Sequence, residues 1–318
     1  MASVKCLKKA AYQLQSGSSY EDSAMFLMPF TSGNPGQNFD PIEDESILGY
    51  AFKNTPTQGN RHVGGSFSQQ LDAISIEPLL EAAMGTHAAG VFSCDGTTNA
   101  KKLSVCTLNE ANANQYANVY VKSLSIKSTA GEKFMVDFDL VGVTAENRVV
   151  VGSFPSAPTS PGDFMVHHHA GGTGYFRVGD HTDALAAGDN QEFDDFELNM
   201  ECGFDEQFVN SQTTLTPIFA MTPPGFSGSF KLGRHTADTF LDFRDNDTAL
   251  QAELYIYLDA TNTIKIEIPN FKINIDLTDD DVVQQNIEML IGRNGLGTSY
   301  TNSNMAFVSP VRITVVNS

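Results

Sequence analysis

Polar and apolar positions alternate along most of this chain. In KFMVDFDL (133–140), Phe134, Val136, Phe138 and Leu140 share one side, and Met135, Asp137 and Asp139 share the other. In DDFELNMEC (194–202), Phe196, Leu198, Met200 and Cys202 point one way, and Asp195, Glu197, Asn199 and Glu201 the opposite way. A period of two is that of a strand with one buried and one wet face. AELYIYLDA, TIKIEIP and FKINIDL, between 252 and 277, predict three further strands, with Asn262 at a turn and Pro269 as a breaker. VRITVV (311–316) predicts another. Runs of this kind belong to antiparallel sheets packed as sandwiches or barrels.

One stretch changes its period. Val63, Gly65, Phe67, Gln69 and Leu71 alternate as a strand. Directly afterwards, Ile76, Leu79, Leu80, Ala83 and Met84 recur at the spacing of one helical face. Ser75 is placed to cap the helix, Pro78 fits its first turn, and Gly85 can end it in the left-handed conformation. The pattern predicts a helix over 75–84, with Ile76, Leu79, Leu80 and Met84 as its packing face.

The stretch GSFPSAPTSPGD (152–163) divides the chain near its middle and reads as a linker. The halves on either side are similar. GGSF (64–67) precedes the helix in the first half, and SGSF (227–230) precedes a possible helical turn, TADTFLDF, in the second. Leu124 and Ile126 match Ile273 and Ile275, and Phe138 and Leu140 match Ile287 and Met289. The offset is 149 residues for this hairpin and 163 for the G-S-F strand. The expectation is a duplication.

The net charge is −19, and it is uneven. Residues 1–159 carry 11 basic and 15 acidic side chains, whereas residues 160–318 carry 8 and 23. A surface this acidic repels nucleic acid. Four cysteines without a C-x-x-C are not a disulfide scaffold, and they fit a reducing cytoplasm. The first residues lack the apolar core of a secretory signal, and no apolar run is long enough to span a membrane. The start of the chain reads as a polar arm.

Catalytic signatures are missing: there is no G-x-S-x-G, P-loop or H-E-x-x-H, and no zinc-type spacing. Three adjacent histidines, His167–His169, invite a metal-binding reading, but neighbours on an extended segment alternate in direction and a solvated loop is expected. DLTDDDV (276–282) lacks the spacing of a calcium loop and reads as a charged turn. The expectation is a protein with no enzymatic activity, no cofactor and no metal.

The order of the pieces carries a resemblance. PIEDESILG (41–49) is followed by RHVGGSFSQQLD, then by SIEPLLEAAMG, then by the strand pair NVYVKSLSIK and FMVDFDLVG. IKIEIPNFKI comes late in the second half. This succession resembles the major tail tube proteins of long-tailed, siphovirus-type bacteriophages over about residues 40–295.

The resemblance implies a mainly β, antiparallel sandwich or barrel tail-tube fold. It implies two tandem tube-like domains, 1–155 with the arm and the helix, and 160–318, each with a short flanking helix. The alternative for the second half is a decoration domain. Tube domains of this family form six-membered rings that stack into a hollow tube, through which DNA is delivered. With two domains per chain, the ring is a trimer with pseudo-six-fold symmetry; with one, it is a hexamer. The partners implied are further copies, neighbouring rings, and the tape-measure, tail-terminator and tail-tip proteins. DNA passes without specific binding, and no membrane is involved. The place implied is the virion tail, after synthesis in the bacterial host cytoplasm. The helix residues Ile76, Leu79, Leu80 and Met84 would close the sandwich edge at the subunit boundary. Asp137, Asp139, Asp195, Glu197 and Glu201 would form an acidic lumen face.

Two other classes compete. A two-domain β-sandwich binding module, such as a receptor-binding or decoration protein of a virion, would share the acidic, β-rich character. Exposed Trp for sugar stacking would be expected there, and the chain has no Trp. A β-rich hydrolase would need converging polar residues, which the sequence does not offer.

Overall fold

The structure, a computed structural model, describes residues 9–33, 36–42, 57–94, 101–143, 146–166, 173–202, 204–207, 216–219, 225–232, 239–277, 284–292, 302 and 304–317. His167–His169, Cys6 and most of the 276–282 turn lie outside the described residues.

The first half contains strands β1 (Lys9–Gln15), β2 (Phe26–Leu27), β3 (Phe30–Gly33), β4 (Gly36–Ile42), β5 (Thr57–Gln70), β6 (Thr86–Ala88) and β7 (Val91–Ser93), with helix α1 (Glu77–Met84) between β5 and β6. It continues with β8 (Lys102–Leu108), β9 (Ala113–Thr129), β10 (Met135–Gly142) and β11 (Asn147–Val149). The second half contains β12 (Tyr175–Asp180), β13 (Asp195–Glu201), β14 (Phe204–Gln207), β15 (Thr216–Phe219) and β16 (Gly225–Leu232). Helix α2 (Thr239–Asp245) follows, then β17 (Leu250–Asp259), β18 (Asn262–Leu277), β19 (Gln285–Ile291) and β20 (Arg312–Val316). The protein is mainly β, and every pairing between named strands is antiparallel, as the alternation requires.

The same strand order occurs twice. In the first half, neighbours run β1–β8–β9–β10–β5–β4, with β11 also on β9. In the second half they run β12–β17–β18–β19–β16–β13, with β20 also on β18. Strands β3 and β4 keep one register along β5, since Gly33 faces Phe67 and Gly36 faces Gly64. Together they occupy the position that β13 occupies along β16.

Register refines the match between the halves. Phe138 stands opposite both Phe67 and Leu124, while Ile287 stands opposite both Phe230 and Ile275. Phe138 therefore matches Ile287 as expected, but Leu124 matches Ile275 rather than Ile273. A two-residue slip keeps every side chain on its face, so alternation alone could not expose it.

The halves are not joined as beads on a string. β9 pairs with β8 through its first part and with β13 through residues 123–129, so one sheet runs from β4 to β18. A second seam joins β7 to β20. One continuous core contains Phe67, Leu124, Phe138 and Leu79 from the first half with Phe196, Phe230, Ile275 and Ile313 from the second. The 152–163 stretch, read from composition as a linker, is bound to the first half. Leu27 N–H donates to Thr159 O (2.8 Å), Thr159 N–H donates to Met25 O (2.7 Å), and Gly162 N–H donates to Asp72.

Pro269 does not break the chain into two strands as expected; β18 runs through it for 16 residues. The partner strand shifts register there, pairing Leu250 with Phe271 and Ala252 with Ile268. The extra residue lies on β18 itself, where Pro269 and Asn270 stand against Gln251 alone, and this bulge accommodates the proline's missing N–H.

Helix α1 starts slightly later than expected. Ser75 does not cap it: Ile76 is the N-cap and makes no side-chain cap bond. Asp72 organises the entry instead. Its wholly buried carboxylate accepts the N–H groups of Ile74 (2.9 Å), Ser75 (2.7 Å) and Gly162 (3.0 Å), together with the Ser75 hydroxyl. Gly85, at φ 85°, ends the helix and donates to Glu81 O. Helix α2 is shorter and packs through Phe240 against Phe230, with ring centroids 5.7 Å apart.

Candidate functional site

The long sheet has a core face and a polar face, set by the alternation of its strands. On the core face Phe67, Phe138, Leu124 and Met200 follow one another across four strands, each 3 % exposed or less. The polar face begins with a row of Ser68, Asp137, Ser125, Asn199 and Ser227. The next row is Ser66, Asp139, Ser123 and Glu201. Another runs Lys127, Glu197, Ser229, Glu288 and Asn274, and a fourth Asp195, Lys231, Asn286 and Asp276.

All five acidic residues singled out from the sequence therefore stand on one face of one sheet, across the seam between the halves. The sequence reading missed the serines between them, as well as Glu288 and Asp276. The signal was present: SLS (123–125) and SFS (66–68) place Ser at every second position. Glu288 and Asn274 follow the same period in the second half.

These serines bridge carboxylates. Ser123 Oγ donates to Asp139 Oδ2 (3.0 Å), Ser125 Oγ to Glu197 Oε1 (3.4 Å), and Ser68 Oγ to Asp137. Lys127 pairs with Asp137, and Asn274 Nδ2 donates to Glu288 Oε2 (3.2 Å). Short side chains leave the face low. A trough of about 740 Å³ runs over Ser66, Ser68, Ser123, Ser125, Asp137 and Asp139. Seven carboxylates (Asp137, Asp139, Asp195, Glu197, Glu201, Asp276 and Glu288) share the rows with Lys127 and Lys231, so the face is negative.

The helix residues lie elsewhere. Ile76, Leu79 and Leu80 are fully buried and Met84 nearly so. They pack inside the chain, where α1 touches β1, β6, β7, β8 and β9. Tyr12 of β1 reaches the helix entry, its hydroxyl donating to Ser75 O at 2.5 Å. Burial pushes the Tyr12 phenol well above its ordinary range.

Little here points to bound chemistry. Among the described residues no group of three or more His, Cys, Asp or Glu side chains is arranged to hold a metal ion. Burial pushes the Cys106 thiol up to about 11 and the Cys202 thiol up to about 12, where neither is an activated nucleophile. Among the described residues no helix is long and apolar enough to cross a membrane.

The family model for phage tail tube proteins matches residues 10–289, which takes in both strand repeats and the whole polar face. The chain belongs to the phage tail tube protein family. It is a structural virion protein, and its place is the phage tail. No match is found among curated proteins. In this tail tube protein the polar face is a built surface rather than a pocket: a hydroxyl and carboxylate lattice on a rigid sheet, with the apolar mass beneath it.

Proposed function

We propose that the chain assembles into rings that stack into a hollow tube, with the polar face of the long sheet turned to the bore and DNA passing along it. The observation that carries this reading is the shared orientation of Asp137, Asp139, Asp195, Glu197 and Glu201 on one serine-lined face. Like charge keeps phosphates from settling, while hydroxyls keep the wall wetted. A wall that gripped the DNA backbone with Lys or Arg would hold it by counterion release.

The repeated strand order supports two tube domains per chain, over about 1–155 and 160–318. Three chains then supply the six sectors of a ring. Neighbouring rings, and the tape-measure, terminator and tip proteins of the tail, complete the set of partners. The purified chain, imaged by negative-stain electron microscopy, is expected to give rings or hollow tubes. Small discrete particles, even at high concentration and with tail extract as seed, would count against the reading. For the bore, charge reversal at Asp195 and Glu197 is expected to slow DNA release from phage carrying the variant; unchanged release would remove that face from the bore.

A further inference from the structure

We infer that the turn carrying Val150 and Val151 seats in the cavity beside α2 of a second copy, so that copies add head to tail through a knob and a hole at opposite ends of the chain. The inference rests on the ring reading above and names one contact through which those rings stack.

The knob is built where β9 begins. β11 lies along the first residues of that strand, with Val149 opposite Ala113. Directly after β11 the chain makes a tight turn, in which Ser153 N–H donates to Val150 O (2.9 Å) and Phe154 N–H to Val151 O (3.3 Å). Val149 and Phe154 pack on the small cluster of Ala11, Met25, Cys106 and Ala113, so both feet of the turn are anchored. Its tip is uncovered: Val150 is 74 % exposed and Val151 43 %. Val150 is the most exposed large apolar side chain among the described residues. Two stiff, branched side chains on a pinned turn lose little freedom when a partner buries them.

The hole exists because the second half fills its helix layer less completely than the first. α1 buries six side chains, and Tyr12 of β1 is fully buried at its entry. α2 buries only Phe240, and β12, the counterpart of β1 in the strand order, brings Val178 and Gly179 to this place. A cavity of about 480 Å³ is left, with Val178, Leu185, Leu232, Phe240 and Phe243 among its walls.

Charge matches as well. Arg148, two residues before Val150, pairs with Glu146 yet stays 63 % exposed. Asp180, Asp183 and Asp189 stand around the cavity, and none of its described lining residues is basic. At a net charge of −19, two copies repel each other over most of their surface. An arginine beside an apolar knob and three carboxylates around an apolar hole make this one approach attractive.

Position decides the partner. Val149 stands at Ala113, where β9 starts. Leu232 follows Lys231, which faces Asp195, which in turn faces Thr129, where β9 ends. β9 is 17 residues long, so its ends lie up to about 55 Å apart. The knob therefore serves another copy and not the hole of its own chain. A contact between unlike patches at opposite ends repeats without closing, which is the geometry of a filament. Knob and hole belong to different halves, so stacking sets the first half of one chain against the second half of another.

Cysteines at the contact and a charge on the knob test it. A Cβ on Gly188, beside the cavity, would meet nothing within 4 Å, so a side chain fits there. Tubes of the Val150→Cys, Gly188→Cys double variant, mildly oxidised, are expected to give a non-reducing ladder with no upper end, because each link leads to a further ring. Either single variant is expected to give none. A ladder ending at three or six chains, or one equally strong in a single variant, would overturn the contact. Val150→Asp is expected to leave rings intact and to cut the sedimenting tube fraction roughly ten-fold. An unchanged tube fraction, or loss of the rings along with the tubes, would overturn it too. Failure of the unsubstituted chain to form rings would instead overturn the ring reading on which the contact rests.

Discussion

Ile126 and Leu277 hold the same position in two matching strands, yet one is sealed and the other is open to solvent at 50 % exposure. The difference is a neighbouring strand, present beside β9 and, among the described residues, not beside the end of β18. Leu277→Ser should therefore leave the free chain nearly unchanged, within about 0.5 kcal/mol, because an exposed position contributes little to folding. The same change is expected to weaken assembly, because Leu277 is an exposed large apolar side chain at a sheet edge. Denaturant midpoints of the free chain, set beside the sedimenting fraction under assembly conditions, read the two effects separately.

Asp72 ties three parts of the first half together: the end of β5, the entry to α1 and the stretch after residue 152. Asp72→Ala would strand the N–H groups of Ile74, Ser75 and Gly162 in a dry site. The expected cost is about 3 kcal/mol or more, since buried donors lose their partner without regaining water. Asp72→Asn keeps one acceptor oxygen and should recover part of the loss. Equilibrium denaturation of the two variants checks both the size and the order.

Gly64 and Gly36 face each other across β4 and β5 but have opposite tolerance. Gly64 sits at φ +155°, and a Cβ there would lie 2.1 Å from Leu140 O of β10. Gly64→Ala should cost about 2–4 kcal/mol by forcing β5 away from β10. Gly36→Ala should change stability by less than about 0.5 kcal/mol. Thermal unfolding of the two variants, measured together, separates a packed glycine from a permissive one.

Much of this fold is legible along the sequence because its strands have one wet face. Phe134 to Leu140 and Phe196 to Cys202 could be assigned to faces residue by residue; the apolar positions sharing the inward side came out buried except Cys202, at the end of β13, which is half-buried. The candidate polar face was legible for the same reason, although only its acids were picked out and its serines were passed over. What alternation cannot reveal is which strand lies beside which. The seam between β9 and β13 joins residues about 70 positions apart, and no local pattern encodes it. The two-residue slip between Leu124 and its true counterpart Ile275 is hidden by the same period of two. Pro269 misled because it sits in a bulge of β18, where the ladder with β17 does not need its N–H. Ser75 misled because Asp72, three residues earlier, took both its backbone N–H and its hydroxyl.

Glu267 gives the second half a pH dependence of known sign. It is 4 % exposed, and burial alone would raise its pKa. A two-pronged contact from Arg312 (2.6 and 2.8 Å) and the Lys265 ammonium (3.1 Å) outweigh burial and hold the carboxyl below its ordinary value. A carboxyl depressed in the folded state adds stability above its unfolded pKa, near 4.5, and loses it as pH falls through the folded value. Glu267→Gln should cost about 3 kcal/mol at neutral pH, because it leaves Arg312 and Lys265 without their charge partner. The gap between the variant and the natural chain should narrow as pH drops below about 4.5. Urea unfolding from pH 7 to pH 3 traces that convergence; a gap independent of pH would show that the pair stabilises by packing alone.

The central claim is that one chain supplies two adjoining sectors of a ring whose polar sheet face lines the bore. Electron cryo-microscopy of the assembled tube, with the chains traced in cross-section, tests it most directly. The account predicts three chains per ring, with Asp137, Asp139, Asp195, Glu197 and Glu201 facing the channel. Six chains per ring, or a bore lined by the opposite layer of the sandwich, would contradict it.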